Sequence, residues 1–412
     1  MANTLSADVE KFLENHAAWF ATIADAMMPS ETIPGFSTTI ANGHGHMTIS
    51  VDSPIDSETI DHGLSWLREV SAQRLLVWAD RDNRDLDVAL ASRGLGRGFE
   101  PRWMLRDLAQ PLPGLALAES IVIGRATLHD LDALSTASHI PYVDLDLARK
   151  VLQPQFADSV WMLLARDGES GPIVCHLTLF LPNDGSGWGG VYGAGVQYDR
   201  QRRGIGSALT LAACRIAQEA GYTHLSLNAT PDGERAYRKV GFAVVGDGQT
   251  WFMEMKSGDP GPDRESVEWA ERLARGAQTD GDRLLATSTT MPNGDSPLGF
   301  AARFDQTDAA RWLIEHGADR EISALASLNL WSEVEAALAN PLLVNALIGS
   351  QGRTPLHQAV LDDDRKLAAM LLEAGADISI LDSEFGSTAL GWANHLGRLE
   401  LARVIEKSAE QD

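Results

Sequence analysis

Three arginines, Arg200, Arg202 and Arg203, stand just before Gly204 and Gly206 in the stretch Gln197-Tyr198-Asp199-Arg200-Gln201-Arg202-Arg203-Gly204-Ile205-Gly206-Ser207. A strand-like run ends at Val196 before this stretch, and an apolar helical pattern follows it as far as Gly221. Closely spaced glycines at a helix start let backbone approach an anion with no side chain between, and the first-turn N–H groups add positive potential. In a chain of formal charge -23, a basic cluster at such a turn points to a phosphate-bearing ligand. A solvated turn is the alternative reading of Gly-x-Gly taken alone. Further along, Tyr237 opens Tyr237-Arg238-Lys239-Val240-Gly241-Phe242, after the strand-like His224-Leu225-Ser226-Leu227-Asn228-Ala229.

Other reactive side chains have plainer readings. Cys175 and Cys214 sit inside apolar runs, where a thiol serves as a small hydrophobe. His44-Gly45-His46 lacks the further ligands a metal needs and reads as a surface loop. The whole chain has 412 residues, 44% hydrophobic and 22% charged, which suits two to four ordinary globular domains. With 34 Lys and Arg against 57 Asp and Glu, it repels nucleic acid and anionic membrane and favours cationic small molecules or basic peptides. No apolar run is long enough to span a bilayer, and the first residues are charged, so a cytoplasmic location is expected.

These residues need elements to hold them. Segments 119–127, 159–165, 172–181 and 188–196 are strand-like, and 131–138 and 145–151 have a helical period. Pro and Gly clusters at 110–114 and 257–262 act as linkers, giving expected domains at 1–110, 118–257 and 263–412. Residues 118–257, with Gln201-x-x-Gly204-x-Gly206 followed by Asn228 and 237–242, resemble the GNAT superfamily of N-acetyltransferases. The resemblance implies an α/β (α+β) fold with a mixed central sheet flanked by helices, and acetyl-CoA as co-substrate. It implies cofactor contacts at Val196, Gln201, Arg202, Arg203, Gly204, Ile205, Gly206, Ser207 and Asn228. In this reading the acetyl group lies in a V-shaped gap between 188–196 and 225–228, the amide near Val196 polarises the thioester, and Tyr237 is the general acid. The base is open: 188–197 holds no carboxylate, which leaves His176, Asp184, Asp144, a water chain or an amine that binds neutral.

The first third repeats part of this pattern. Residues 74–80 and 98–105 echo 224–230 and 241–253, with a helix expected over 57–72. The turn before that helix, 51–56, has neither glycine nor arginine, and Gly94 stands where Tyr237 would. A degenerate acetyltransferase-like lobe, a tandem partner to the second, is the expectation. In the last third, Thr354-Pro355-Leu356-His357-Gln358-Ala359 and Leu371-Leu372-Glu373-Ala374-Gly375-Ala376-Asp377 recur in variants about 34 positions apart. This resembles the ankyrin repeat, an all-α stack, with a partial first copy at 263–277 and a degenerate one at 322–350. His357 is then a structural histidine, and the stack implies protein recognition or self-association. The function expected is N-acetylation of an amine-bearing small molecule, an antibiotic or a polyamine. The alternatives are a protein acetyltransferase guided by the ankyrin surface and a non-catalytic acyl-CoA-sensing scaffold.

Overall fold

The computed structural model describes residues 7–24, 31–33, 36–41, 44–49, 56–81, 83–114, 120–137, 140–256, 258–288, 290–348, 352–383 and 386–409. Two compact units result, Met1–Asn83 with Gly96–Asp259, and Arg84–Leu95 with Pro260–Asp412. In chain order the first half runs α1 (Ala7–Thr22), β1 (Glu31–Ile33), β2 (Phe36–Ala41), β3 (His44–Ile49), α2 (Ser57–Glu69), β4 (Arg74–Asp80), α3 (Arg84–Ser92), β5 (Gly96–Arg97) and β6 (Arg102–Asp107). It continues as β7 (Ile121–Arg125), α4 (Leu131–Thr136), α5 (Leu145–Val151), β8 (Val160–Asp167), β9 (Ile173–Phe180), β10 (Trp188–Val196), α6 (Ile205–Glu219), β11 (His224–Ala229), α7 (Pro231–Arg238) and β12 (Ala243–Glu254).

All of these strands join one mixed sheet in the order β1-β2-β3-β4-β12-β6-β11-β10-β9-β8-β7, with β5 alongside β12. Every residue of β9 is buried, His176 and Thr178 among them, so the strand is covered on both faces. Alternate side chains divide the core: Leu163, Cys175, Leu177 and Leu179 pack with Leu209 and Ala213 of α6. Met162, Leu164 and Phe180 instead pack with Trp19, Phe20 and Ile23 at the end of α1. That helix buries Val9, Phe12, Leu13, His16, Trp19 and Phe20, spaced three or four apart as an amphipathic helix demands.

One succession occurs twice. β2 pairs antiparallel with β3, which after α2 pairs parallel with β4. Likewise β9 pairs antiparallel with β10, which after α6 pairs parallel with β11. The two copies share strands. β6 lies between β11 and β12, and β12 runs on from β6 to pair with β4 through Glu254↔Arg74. Hydrogen bonding therefore crosses the expected boundary at 110, and the three-part division remains a proposal about chain order. Two glycines of β12 make the exchange possible: a Cβ on Gly246 or Gly248 would press on the Trp103 indole, which is buried and stacked on Phe12.

His44-Gly45-His46, expected in a surface loop, belongs instead to β3, and the His46 ring stacks on Phe20 with centroids 3.9 Å apart. Its surroundings are apolar because α1 crosses that strand. Among the described residues no group of three or more metal-binding side chains gathers. The expected helix over 57–72 is α2, started by Asp56, which accepts from the Thr59 N–H. The turn reading falls largely on residues 51–55, which lie outside the described residues.

The second unit is helical: α8 (Arg264–Ala274), α9 (Arg283–Ser288), α10 (Pro297–Arg303), α11 (Thr307–Glu315), α12 (Ile322–Ser327), α13 (Trp331–Leu338), α14 (Pro341–Val344), α15 (Pro355–Leu361), α16 (Arg365–Glu373), α17 (Ala389–His395) and α18 (Leu399–Ala409). Thr354 caps α15 with Pro355 in its first turn, and Gly375 ends α16 at φ 84°, as the repeat pattern anticipates. His357 sits 2.8 Å from Thr354 Oγ1 and 3.0 Å from the Ser387 carbonyl, bridging two turns. α3 also belongs to this unit. It buries every residue from Leu86 to Ser92, and Arg93 donates both to the Ala89 carbonyl and to Glu271 of α8 at 2.9 Å. Among the described residues, no helix is long and apolar enough to cross a membrane.

Candidate active site

The basic turn between β10 and α6 has the backbone that anion binding needs. Gly204 is the N-cap of α6 at φ 81°, with open space where a Cβ would stand, and Arg202 is also left-handed at φ 61°. Such alternation turns successive N–H groups toward one side. No side chain caps α6, which leaves its first-turn N–H groups available to a ligand. A Cβ on Gly206 would lie 3.1 Å from Val196 Cγ2, so the helix start rests against the end of β10.

The three arginines separate in role. Arg200 forms an ion pair with Asp167 at 2.7 Å, which fastens the turn to the end of β8 and consumes its charge locally. The Ser120 hydroxyl and then Arg200 hold the Asp167 carboxyl below its ordinary pKa. Arg202 and Arg203 are exposed, and Arg203 also donates to the Asp199 carbonyl. Gln201 donates to the Val196 carbonyl at 3.3 Å, tying the turn to the strand. Ile205 is a core side chain, and Ser207 donates to the Ala236 carbonyl at 3.2 Å, so these two offer a ligand only their backbone.

The pairing of the two parallel strands stops where the gap is expected. β10 and β11 pair from Trp188↔His224 to Val191↔Leu227 and no further. In β10 the register to β9 shifts between Tyr192 and Gly195, and Gly193 there has φ 56°. Past this bulge Val196 faces Cys175, and the Gln197 N–H bonds the Val174 carbonyl at 2.9 Å. That pattern makes Val196 a non-hydrogen-bonded pair member, so its N–H points away from β9 and into the gap.

Tyr237 is positioned by α7, which Thr230 caps by accepting from the Gly233 N–H. Gly233 leaves room for the Tyr237 ring: a Cβ there would lie 3.1 Å from Cε2. The ring packs on the α6-side core and meets Phe242 edge to face, while the Ser207–Ala236 hydrogen bond joins α7 to the start of α6. Burial, then the neighbouring Cys175 and Tyr142, push the Tyr237 phenol well above its ordinary pKa, so it carries its proton at neutral pH. Both cysteines are buried and pushed up to about 12, fitting core thiols rather than nucleophiles.

Asn228 lies one residue past the last β10–β11 pair, with its side chain toward α1: Nδ2 is 3.4 Å from His16 Nδ1, and Oδ1 is buried without a hydrogen-bond partner. His16 and Asn15 are functional candidates that sequence reading missed. Asn15 donates to the Trp188 carbonyl and accepts from Ser226 and Tyr192, while His16 is buried with its Nε2 unpartnered. Their signal was two adjacent polar residues within the apolar stripe of α1. Burial and then His46 lower the His16 pKa to about 3, so it is neutral.

The candidate bases lie at different places in the fold. Asp144 is an exposed cap of α5, accepting from Asp146 and Leu147. Asp184 is exposed in the turn that enters β10, at the opposite end of that strand from Val196. His176 is buried with Nε2 2.9 Å from the Pro141 carbonyl.

Comparison with known proteins agrees with this architecture. Residues 126–242 match the Acetyltransferase (GNAT) family, and residues 293–324 and 351–383 match the Ankyrin repeat. The chain therefore carries a GNAT-family domain followed by ankyrin repeats. It is 30% identical over 191 residues to a mycothiol acetyltransferase of Clavibacter michiganensis, covering 43% of this chain and 61% of that protein. A mycothiol acetyltransferase of Saccharomonospora viridis is 29% identical over 205 residues, 45% of this chain and 67% of that one. A solved GCN5-related N-acetyltransferase from Kribbella flavida superposes with a TM-score of 0.48 at 17% identity, over 61% of this chain and 98% of that one.

Proposed function

We propose that this chain is an acetyl-CoA-dependent N-acetyltransferase that acts on the amine of a small molecule. The observation that carries the reading is the gap itself. β10 parts from β11 after Val191↔Leu227, the Val196 N–H faces the opening, and α6 begins uncapped beside it. The first-turn N–H groups from Ile205 to Ser207, with Gly204, Gly206, Arg202 and Arg203, would hold the pyrophosphate of acetyl-CoA. When bound, that molecule supplies an activated acetyl thioester.

The chain's own groups account for the remaining chemistry. The Val196 N–H stabilises negative charge on the carbonyl oxygen as the acceptor nitrogen attacks. Tyr237 holds its proton in the buried environment and releases it to the leaving sulfur. No side-chain nucleophile is required, in keeping with two inert buried cysteines. An acceptor amine that enters neutral needs no base before it attacks, and the proton its nitrogen sheds on becoming an amide returns through water to the tyrosinate left at Tyr237.

On the α1 side the gap meets His16, Tyr192 and Asn228, all uncharged. This favours an acceptor with one amine and neutral polar groups, an aminated antibiotic for instance, over a polycation such as a polyamine. The name of the relatives, mycothiol acetyltransferase, supports a small-molecule acceptor. The repeated β2-β3-α2-β4 and β9-β10-α6-β11 succession supports a tandem origin in which the first copy is degenerate and structural.

CoA release by the full chain against a panel of small amines and peptides tests this reading. Release that depends on a small amine and falls in Tyr237→Phe is expected. Release with peptides alone would move the acceptor to protein. Acetyl-CoA binding with no release would make the domain a sensor.

A further inference from the structure

His176 is a buried imidazole that the transfer chemistry leaves without a task. It stands on β9 opposite Gly195, just past the bulge of β10, and its Nε2 lies 2.9 Å from the Pro141 carbonyl. A carbonyl only accepts, so the ring proton sits on Nε2. Burial holds the ring below the usual imidazole pKa, in its neutral form.

Residues 140–143, between α4 and α5, cross directly over that bulge. A Cβ on Gly195 would overlap the Pro141 carbonyl oxygen, and one on Gly193 would lie 3.9 Å from the Tyr142 carbonyl. The two backbones touch because glycine occupies both positions. Tyr142 has φ 65°, a left-handed state that a tyrosine keeps only where its surroundings impose it. Its side chain is exposed.

We propose that His176 is a positioning residue: by donating to the Pro141 carbonyl it holds residues 140–143 on the bulged end of β10 and so fixes Tyr142 at the mouth of the gap, where the acceptor enters. This deepens the acetyltransferase reading and rests on it. The latch sets the width of the opening against the Val196 N–H, and displacement of about 1 Å at such a place costs about 100-fold in rate. The β9 position needs a ring that fills space and donates one hydrogen bond, which explains a histidine in an otherwise apolar run.

His176→Phe keeps the ring and removes the donor; His176→Gln keeps a donor. In the full chain without substrates, hydrogen exchange of the Ile140, Tyr142 and Val143 amides should quicken about 10-fold or more in His176→Phe and be partly restored in His176→Gln. With the acceptor found above, His176→Phe should lose about 10-fold or more in kcat/KM for the amine, with acetyl-CoA affinity within about 2-fold of the parent and the pKa values of the pH–rate profile unchanged. Should His176→Phe not fold, Gly195→Ala displaces the same crossing from the strand side and should give the same exchange and kinetic changes. Unchanged exchange at 140–143 in the folded variant overturns the latch, and loss of the acidic limb of the pH profile overturns it in favour of a base. If no amine is acetylated by the parent chain, the acetyltransferase reading fails while the exchange experiment still decides the latch.

Discussion

Tyr237 and His16 show how burial sets chemistry one side chain at a time. Tyr237 keeps its proton because its partly buried place against the α6 core disfavours the phenolate, which is the condition a general acid needs. Tyr237→Phe should therefore lower turnover by about 100-fold while acetyl-CoA affinity stays nearly constant, measured as steady-state CoA release beside calorimetric binding. A parental rate would place the acid elsewhere. His16 and His46 both fall from 6.5 to about 3, burial being the first cause for each. The unfolded chain binds those protons and the folded chain does not, so the stability they leave intact above pH 6.5 is lost as pH drops toward 3. The loss is about 1.4 kcal/mol per pH unit for each histidine. Thermal unfolding at pH 7, 6 and 5 should show a steep fall that becomes shallower in His46→Phe, and parallel curves for the two proteins would contradict it.

At the scale of elements, the start of α6 was readable from residue types, because Gly204, Gly206 and the arginines describe their own backbone requirement. The side-chain roles were less so. That Arg200 would pair with Asp167, and that Ser207 would bond to Ala236, depends on which elements become neighbours. Strand partnership was illegible for the same reason: the apolar run Trp103-Met104-Leu105 marks a strand but does not say that β11 and β12 will flank it. His16 was overlooked because a polar residue in an apolar helical stripe reads equally as a packed histidine. His44 and His46 were given to a loop because they lack further metal ligands; close packing in β3 explains the glycine between them, as its Cβ would strike Leu67. The stack was the most legible part, and its caps make a direct prediction. His357→Ala removes the bridge between the Thr354 and Ser387 turns and should cost about 1–3 kcal/mol in chemical unfolding of the second unit. No loss of stability would make the bridge incidental.

For the molecule as a whole, the chain order of the parts conceals how they are built. Helix α3 leaves the sheet sequence after β4 and joins the helical unit, where Arg93 and Glu271 bind it to α8. Residues 263–277 were read as a partial first repeat; α8 ends at Ala274 with Gly276 at φ 69° two residues on, and the ankyrin match begins at residue 293. A chain ended after Lys256 would deprive α3 of α8, and it should melt about 5 °C or more below the full chain by calorimetry; equal melting would show that α3 is indifferent to it. The acidic balance of 57 against 34 leaves Arg202 and Arg203 as exposed positive charges beside the α6 start. The claim that an acyl-CoA pyrophosphate rests there is tested most directly by titrating acetyl-CoA into the full chain and into Gly206→Asp. The aspartate would set a carboxylate and its bulk at the end of β10, within contact of Val196. One saturable site in the parent and an affinity at least about 100-fold weaker in a folded Gly206→Asp are predicted. Equal affinity in the two proteins, or no binding to the parent, would contradict the account.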